Sequence, residues 1–188
     1  MADSLIELQQ EVLRKIGRNV LLFQHVEGLL RVLLVDSHIS GYMSEIRAKH
    51  ARRQASIDKQ TMGQVLRQYL DIPQLNTQSS SEPTELKEAW ISFTVAFEDD
   101  QGSRRLQESL SELVAERNDL IHHFFSQWNL HSVEDSQRVQ AHLDRQRDKI
   151  VQQAQQLEER IRDLQAIKRD VADTLSNPDF LQQLLEQK

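Results

Sequence analysis

The sequence predicts an all-α protein: a bundle of about four to five helices followed by a long C-terminal helical arm. Three observations carry that expectation. Among 188 residues there are only 5 Gly and 3 Pro, so the chain has few points at which a helix must break. Apolar residues recur at spacings of three and four, and no long alternating run announces a sheet. From residue 133 onward an apolar position returns every seventh residue, as it does along an extended helix.

The first helix is expected from about Ser4 to about Val35, with Ser4 and Glu7 spaced as a capping box. On a wheel of about 100° per residue, Val12, Leu13, Ile16, Val20, Phe23, Leu30 and Leu34 share one face. Glu27 falls on that same apolar face. Asp36 to Gly41 reads as a turn. A basic run follows, Arg47, Lys49, His50, Arg52 and Arg53, and it has two readings. It is either a solvated helix face or a patch that contacts phosphate; with few aromatics nearby it could supply charge but little base stacking. Thr61 to Leu70 is the next helix, with Met62, Val65, Leu66 and Tyr69 inward. Asp71 to Pro83 reads as a loop with two prolines and a serine run. Thr84 to Phe97 is expected as a helix burying Leu86, Trp90, Phe93 and Phe97, and Glu98 to Gly102 as a turn.

A helix from about Ser103 to Trp128 follows, then one very long helix from Val133 to Leu175. In the long helix Leu143, Ile150, Leu157, Leu164 and Val171 form one seam. The neighbouring seam of Arg147, Ala154, Ile161, Lys168 and Leu175 is only partly apolar. That pattern fits a weak coiled coil or an arm laid against the bundle better than an ideal zipper. Asn177 and Pro178 stop it, and Asp179 to Gln187 is a short terminal helix. The expected organisation is therefore a bundle over residues 1–130 and an extension over 131–188, either part of the same domain or a dimerisation arm.

Composition narrows the function classes. The formal net charge of −6 argues against a surface that coats nucleic acid as a whole, though a local basic patch remains compatible with RNA. No Cys is present, so disulfides and thiolate metal sites are excluded. The N-terminus lacks the build of a secretory signal, and no apolar run reaches the ~18–20 residues of a spanning helix. The expectation is a cytoplasmic protein with no membrane association.

The chemistry concentrates in Glu116-Arg117-Asn118-Asp119-Leu120-Ile121-His122-His123-Phe124-Phe125. With Arg117 at zero, Leu106, Leu110, Leu113, Ile121, Phe124 and Trp128 fall within roughly 40° on an ideal wheel. A guanidinium amid that stripe needs a carboxylate or a phosphate. Glu27 is the acid placed with the same oddity, so a Glu27–Arg117 pair across the bundle is expected, with Asp36 a poorer substitute. His122 stands about 140° from Arg117, with Asn118 between them at about 100°. One ideal helix therefore does not aim both at one point, and a groove at the stripe's edge or a second protomer would complete the site. Histidine moves a proton near neutral pH and arginine holds phosphate bidentately, a pairing suited to RNA, whose 2′-hydroxyl is its own nucleophile. No metal site is expected: His122 and His123 are adjacent, and no HExxH or acidic cluster accompanies them. The plain alternative is that Arg117 pairs with Glu27 only to fix helix register, in a non-catalytic helical module that binds protein or RNA. His25, His38, His131 and His142 read as structural or exposed.

The stretch Arg117 to His122 resembles the R-x4-6-H motif of the HEPN superfamily, including the polar residue that often follows the arginine. An early helix with an inward Glu27, the Thr61-Met62-Gly63-Gln64-Val65 helix opening and a late motif helix extend the resemblance over roughly residues 1–130. The resemblance implies a small antiparallel bundle, a homodimer with the motif at its interface, and metal-independent endoribonuclease activity without a cofactor. Many such proteins are toxins or anti-phage defence proteins, some held by an antitoxin or other regulatory partner. It also implies roles: Arg117 on the scissile phosphate, His122 as acid and base, Asn118 as an orienting group and Glu27 positioning Arg117. The products would be a 2′,3′-cyclic phosphate and a 5′-hydroxyl. Some members carry a modifiable tyrosine two residues beyond the histidine. Phe124 stands there in this chain, which excludes regulation through a hydroxyl at that position.

Overall fold

A computed structural model of the chain describes residues 2–72, 90–95 and 101–177. Helix α1 spans Ala2–Asp36, strand β1 His38–Tyr42, α2 Ile46–Ile57 and α3 Met62–Leu70. Strand β2 spans Trp90–Thr94, and α4 spans Gln101–Asn118. α4 runs on through a π-helical turn at Asp119–His123 into the short α5, Phe124–Gln127; the long α6 spans Val133–Leu175. The described fold is mostly helical, as expected.

The expected elements are corrected at two places. First, the described residues include a small sheet: β1 pairs antiparallel with β2, from His38 opposite Thr94 to Tyr42 opposite Trp90. The turn expected at Asp36–Gly41 is largely strand β1, and the expected helix over Thr84–Phe97 is strand over 90–94. Trp90, Phe93 and Phe97 have helical spacing, but Trp-Ile-Ser-Phe-Thr is built of the β-branched and aromatic residues that fit a pleated surface. Five residues are too few for alternation to stand out. Tyr42 and Trp90 meet edge to face at 5.1 Å, and the Val95 N–H donates to the Ser37 carbonyl at 2.8 Å, tying the sheet to the end of α1. Second, α1 begins at Ala2, so Ser4 lies inside the helix rather than capping it. The expected loop from 73 to 83, the segment 84–89 and the terminal helix at Asp179–Gln187 lie outside the described residues.

α3 and α6 keep their expected bounds to within a residue, for legible reasons. α3 opens on Thr61, whose N–H donates to Gln64 Oε1 at 2.9 Å, and it buries Met62, Val65, Leu66 and Tyr69. α6 opens on Ser132, whose hydroxyl accepts from the Asp135 N–H at 3.0 Å, and ends before Ser176.

α6 folds back along α1, and the two run parallel. Gln140 reaches the Leu8 carbonyl, Lys15 meets Asp144 at 2.5 Å, His25 meets Glu158 at 3.2 Å and Lys168 meets Asp36 at 3.1 Å. Both residue numbers rise together over more than 25 positions, about 40 Å of contact. Leu143, Ile150, Leu157 and Leu164 of the heptad seam are sealed, and they join Val12, Phe23, Val26, Leu30 and Leu33 of α1 in one core. The second seam grades from buried Ala154 to exposed Arg147 and Leu175, as its composition requires. α4 and α5 run antiparallel to α6: Glu116 pairs with Lys149 and Trp128 stacks on His142. Leu13, expected inward, is exposed, while Asn19 is completely buried between α1 and α6.

Candidate functional site

The motif stretch enters from α4, whose Leu106, Leu110 and Leu113 are buried. It then passes into the π turn. There hydrogen bonds span five residues instead of four, so each residue advances roughly 82° rather than about 100° around the axis. Leu120 and Phe124 are buried, whereas Ile121 and Phe125 are exposed, Phe125 to 74%. The buried face is therefore not centred on Arg117. Its side chain is only half-buried, and its Nη1 donates to Asn118 Oδ1 at 3.3 Å.

The π turn also changes the angle between the two key residues. Counting ideal α steps to Asp119 and π steps beyond, Arg117 and His122 stand roughly 90° apart instead of about 140°. By the same count Asn118 and His122 fall nearly in line. Arg117, Ile121 and Phe125 form one ridge, and Asn118 and His122 the ridge beside it. His122 and His123 are both exposed, their rings 6.3 Å apart. The opposite side of the turn faces α6 across a space of about 60 Å³ lined by Glu116, Phe124, Trp128 and His142 among others. Lys149 binds Glu116 Oε1 at 2.7 Å, and that pairing holds the lysine above its usual range.

Glu27 is not brought to Arg117. Its carboxylate takes the guanidinium of Arg31, one turn on, at 2.5 Å, and Arg31 also donates to the Gln60 carbonyl at 2.9 Å. The cause is local: a glutamate four residues before an arginine on one helix is a favoured neighbour pair. Asp36, the alternative acid, is taken by His50 at 2.9 Å and Lys168 at 3.1 Å. Among the described residues no three His, Asp or Glu side chains group as a metal site.

The basic run lies on α2. Arg47, Lys49 and Arg52 are exposed, whereas His50 and Arg53 are half-buried. Arg53 Nη2 donates to the Leu34 carbonyl at 2.9 Å, and Lys49 lies 5.3 Å over the Trp90 ring. Between α2 and β1 is a cleft of about 320 Å³ lined by His38, Lys49, His50 and Arg53 with Ile39, Ser40 and Ile46. Burial lowers the pKa of Arg53 below its ordinary value. Burial, and then the nearby Arg53, lowers that of His38. His38 Nδ1 meets the Thr94 hydroxyl at 2.8 Å. Sequence spacing gives no sign that His38 belongs with Arg53, because they meet only when α2 packs beside a strand that the sequence does not announce. The cleft is well separated from the motif. Glu116 meets α6 at Lys149 and Asp36 meets it at Lys168, 19 residues on, roughly 28 Å along the axis.

Among the described residues no helix is long and apolar enough to cross a membrane. Searches of protein families, of curated proteins and of solved structures give no match to this chain.

Proposed function

We propose that this chain is a metal-independent endoribonuclease of the HEPN type, acting as a homodimer in a toxin, defence or stress role. Its activity would be held in check by an antitoxin or another regulatory protein. The observation that carries the reading is the π turn. It narrows the angle between Arg117 and His122 and leaves His122 on the surface beside the exposed Ile121 and Phe125. An exposed apolar ridge next to the motif suits a second protomer, whose copy of the stretch would supply the other half of the site.

The chemistry follows from the residue types. The RNA 2′-oxygen attacks the adjacent phosphorus, the bond to the 5′-oxygen breaks, and a 2′,3′-cyclic phosphate and a 5′-hydroxyl result. His122 takes the proton from the 2′-hydroxyl or delivers one to the leaving 5′-oxygen. Arg117 neutralises the charge that builds on the non-bridging phosphate oxygens, and Asn118 holds the guanidinium in place. Glu27, engaged by Arg31, is given no contact with the reacting atoms.

The test is RNA cleavage by purified protein in EDTA. Wild type should release fragments with 5′-hydroxyl ends, and His122→Ala or Arg117→Ala should slow cleavage by about 100-fold or more. Equal cleavage by wild type and His122→Ala sinks the proposal. A second reading, a non-catalytic module that binds RNA, draws on the cationic cleft of α2 and β1, which lies away from the motif. It predicts RNA binding without cleavage, unaffected by Arg117→Ala.

A further inference from the structure

The cleft between α2 and β1 has the features of an anion site. Two cationic side chains and two imidazoles line it, and among the described residues no acid does. The nearby acids are engaged: Asp36 by His50 and Lys168, and Glu45 by Lys49 at 3.3 Å. Of the cleft's cations, Arg53 is the one these pairs leave without a carboxylate among the described residues, on a chain whose net charge is −6. A cation left so draws an anion to one place on the surface.

Arg53 is the sharper clue. A half-buried guanidinium is costly unless an anion meets it. Its Nη2 is satisfied by a carbonyl, yet its Nε is buried with no hydrogen-bond partner, and among the described residues no carboxylate pairs with it. That leaves a partly buried guanidinium without a counter-anion at the wall of a cleft large enough for a small ligand. Lys49 is seated by Gly41, which has φ +154°. A Cβ there would come within 3.0 Å of the lysine Nζ and 3.1 Å of its Cδ. The glycine thus lets the lysine lie flat over Trp90. His38 completes the set from β1, with Nδ1 engaged by Thr94. If that nitrogen accepts, the ring presents Nε2–H as a donor.

We propose that this cleft is a phosphate-binding site in which Arg53, Lys49 and His38 hold the phosphate group of a nucleotide or of an RNA chain. The inference stands apart from the nuclease reading, because none of its residues belongs to the motif.

The test follows the His38 imidazole signals by NMR in the full-length His122→Ala protein, with three probes in turn. They are inorganic phosphate, adenosine monophosphate and a single-stranded RNA oligonucleotide. At least one should shift His38 while leaving the exposed His131 unmoved. Lys49→Gln should weaken that binding about tenfold, the effect of a good charge-assisted contact. His38→Gln, which keeps a donor, should weaken it less. Shifts with the mononucleotide or phosphate identify a free nucleotide as the source. Shifts with RNA alone identify the backbone, and then Lys49→Gln should reduce the salt slope of binding by about 0.7. Arg53→Gln also removes the bond to the Leu34 carbonyl, so its effect counts only if its melting curve matches wild type. An unmoved His38 with all three probes, or unchanged binding by Lys49→Gln, overturns the proposal. Cleavage that survives His122→Ala would remove the nuclease reading and leave this one intact.

Discussion

Asn19→Ala should weaken the contact between α1 and α6 by a predictable amount. Asn19 is fully buried, and its amide donates twice, to the Leu143 carbonyl at 2.8 Å and to Gln146 Oε1 at 3.0 Å. The Leu143 carbonyl lies inside α6 and keeps its helical bond. Gln146 is only 3% exposed, and its oxygen would lose its donor inside the core. Leaving such an acceptor unpaired costs about 1–3 kcal/mol. Alanine is the better helix former, which offsets about 0.6 kcal/mol. The net loss is about 0.5–2.5 kcal/mol, a drop of roughly 2–8 °C in Tm for a chain of this size. Urea unfolding followed by circular dichroism reads it directly. Gln146→Ala should cost a similar amount, and the double variant less than the sum, with a coupling of at least about 0.5 kcal/mol. Additive losses would show that the two amides do not act as a pair and would refute the reasoning.

Two further predictions concern the core and the cleft. Leu157→Ala, at a fully buried seam position, should cost about 2–5 kcal/mol, whereas Leu175→Ala at the exposed end of α6 should cost less than about 0.5 kcal/mol; equal losses by denaturant melts would contradict the packing of α6 on α1. The second rests on His38, whose pKa in the fold is lowered, first by burial and then by Arg53. The neutral ring's stability is present above the unfolded value of about 6.5 and is lost as pH falls through the lower folded value. The urea midpoint should therefore fall as pH drops below about 6.5, and His38→Gln should flatten that part of the profile; identical profiles would refute the assignment.

The parts of the fold that were legible in the sequence are those with long repeats. The seam of Leu143, Ile150, Leu157 and Leu164 runs four heptads, so the bounds of α6 were plain and its burial followed. α3 was legible from the inward spacing of Met62, Val65, Leu66 and Tyr69, and the structure adds a cap in which Thr61 and Gln64 bond within one turn. The sheet was not legible, because its two strands are short and their pairing joins residues about fifty positions apart. The Glu27–Arg117 pair was expected from two wheels considered separately. It overlooked a nearer competitor: Arg31 lies one turn from Glu27, needs no tertiary alignment, and takes the carboxylate first. The basic run was visible as charge. Its division into exposed Arg47, Lys49 and Arg52 and recessed His50 and Arg53 depends on the strand that passes beside it.

The π turn accounts for what the wheel left unresolved about Arg117. In a continuous α-helix Arg117 and Phe124 would stand only about 20° apart, so burying Phe124 would bury the guanidinium with it. Glu27, the acid expected to meet it, is held by Arg31. In the π turn the same two residues stand roughly 90° apart. Phe124 and Leu120 can then enter the core while Arg117 stays at its edge, within reach of Asn118. The conflict between an apolar stripe and a charge in its midst is relieved by the backbone and not by a counter-ion. That relief leaves the guanidinium free of a carboxylate on the same ridge as the exposed Ile121 and Phe125, with the exposed His122 on the ridge beside it. A residue held in that state is poised to accept an anion from outside the chain, which is the property that the proposed chemistry requires of Arg117 and that a buried Glu27–Arg117 pair would have removed.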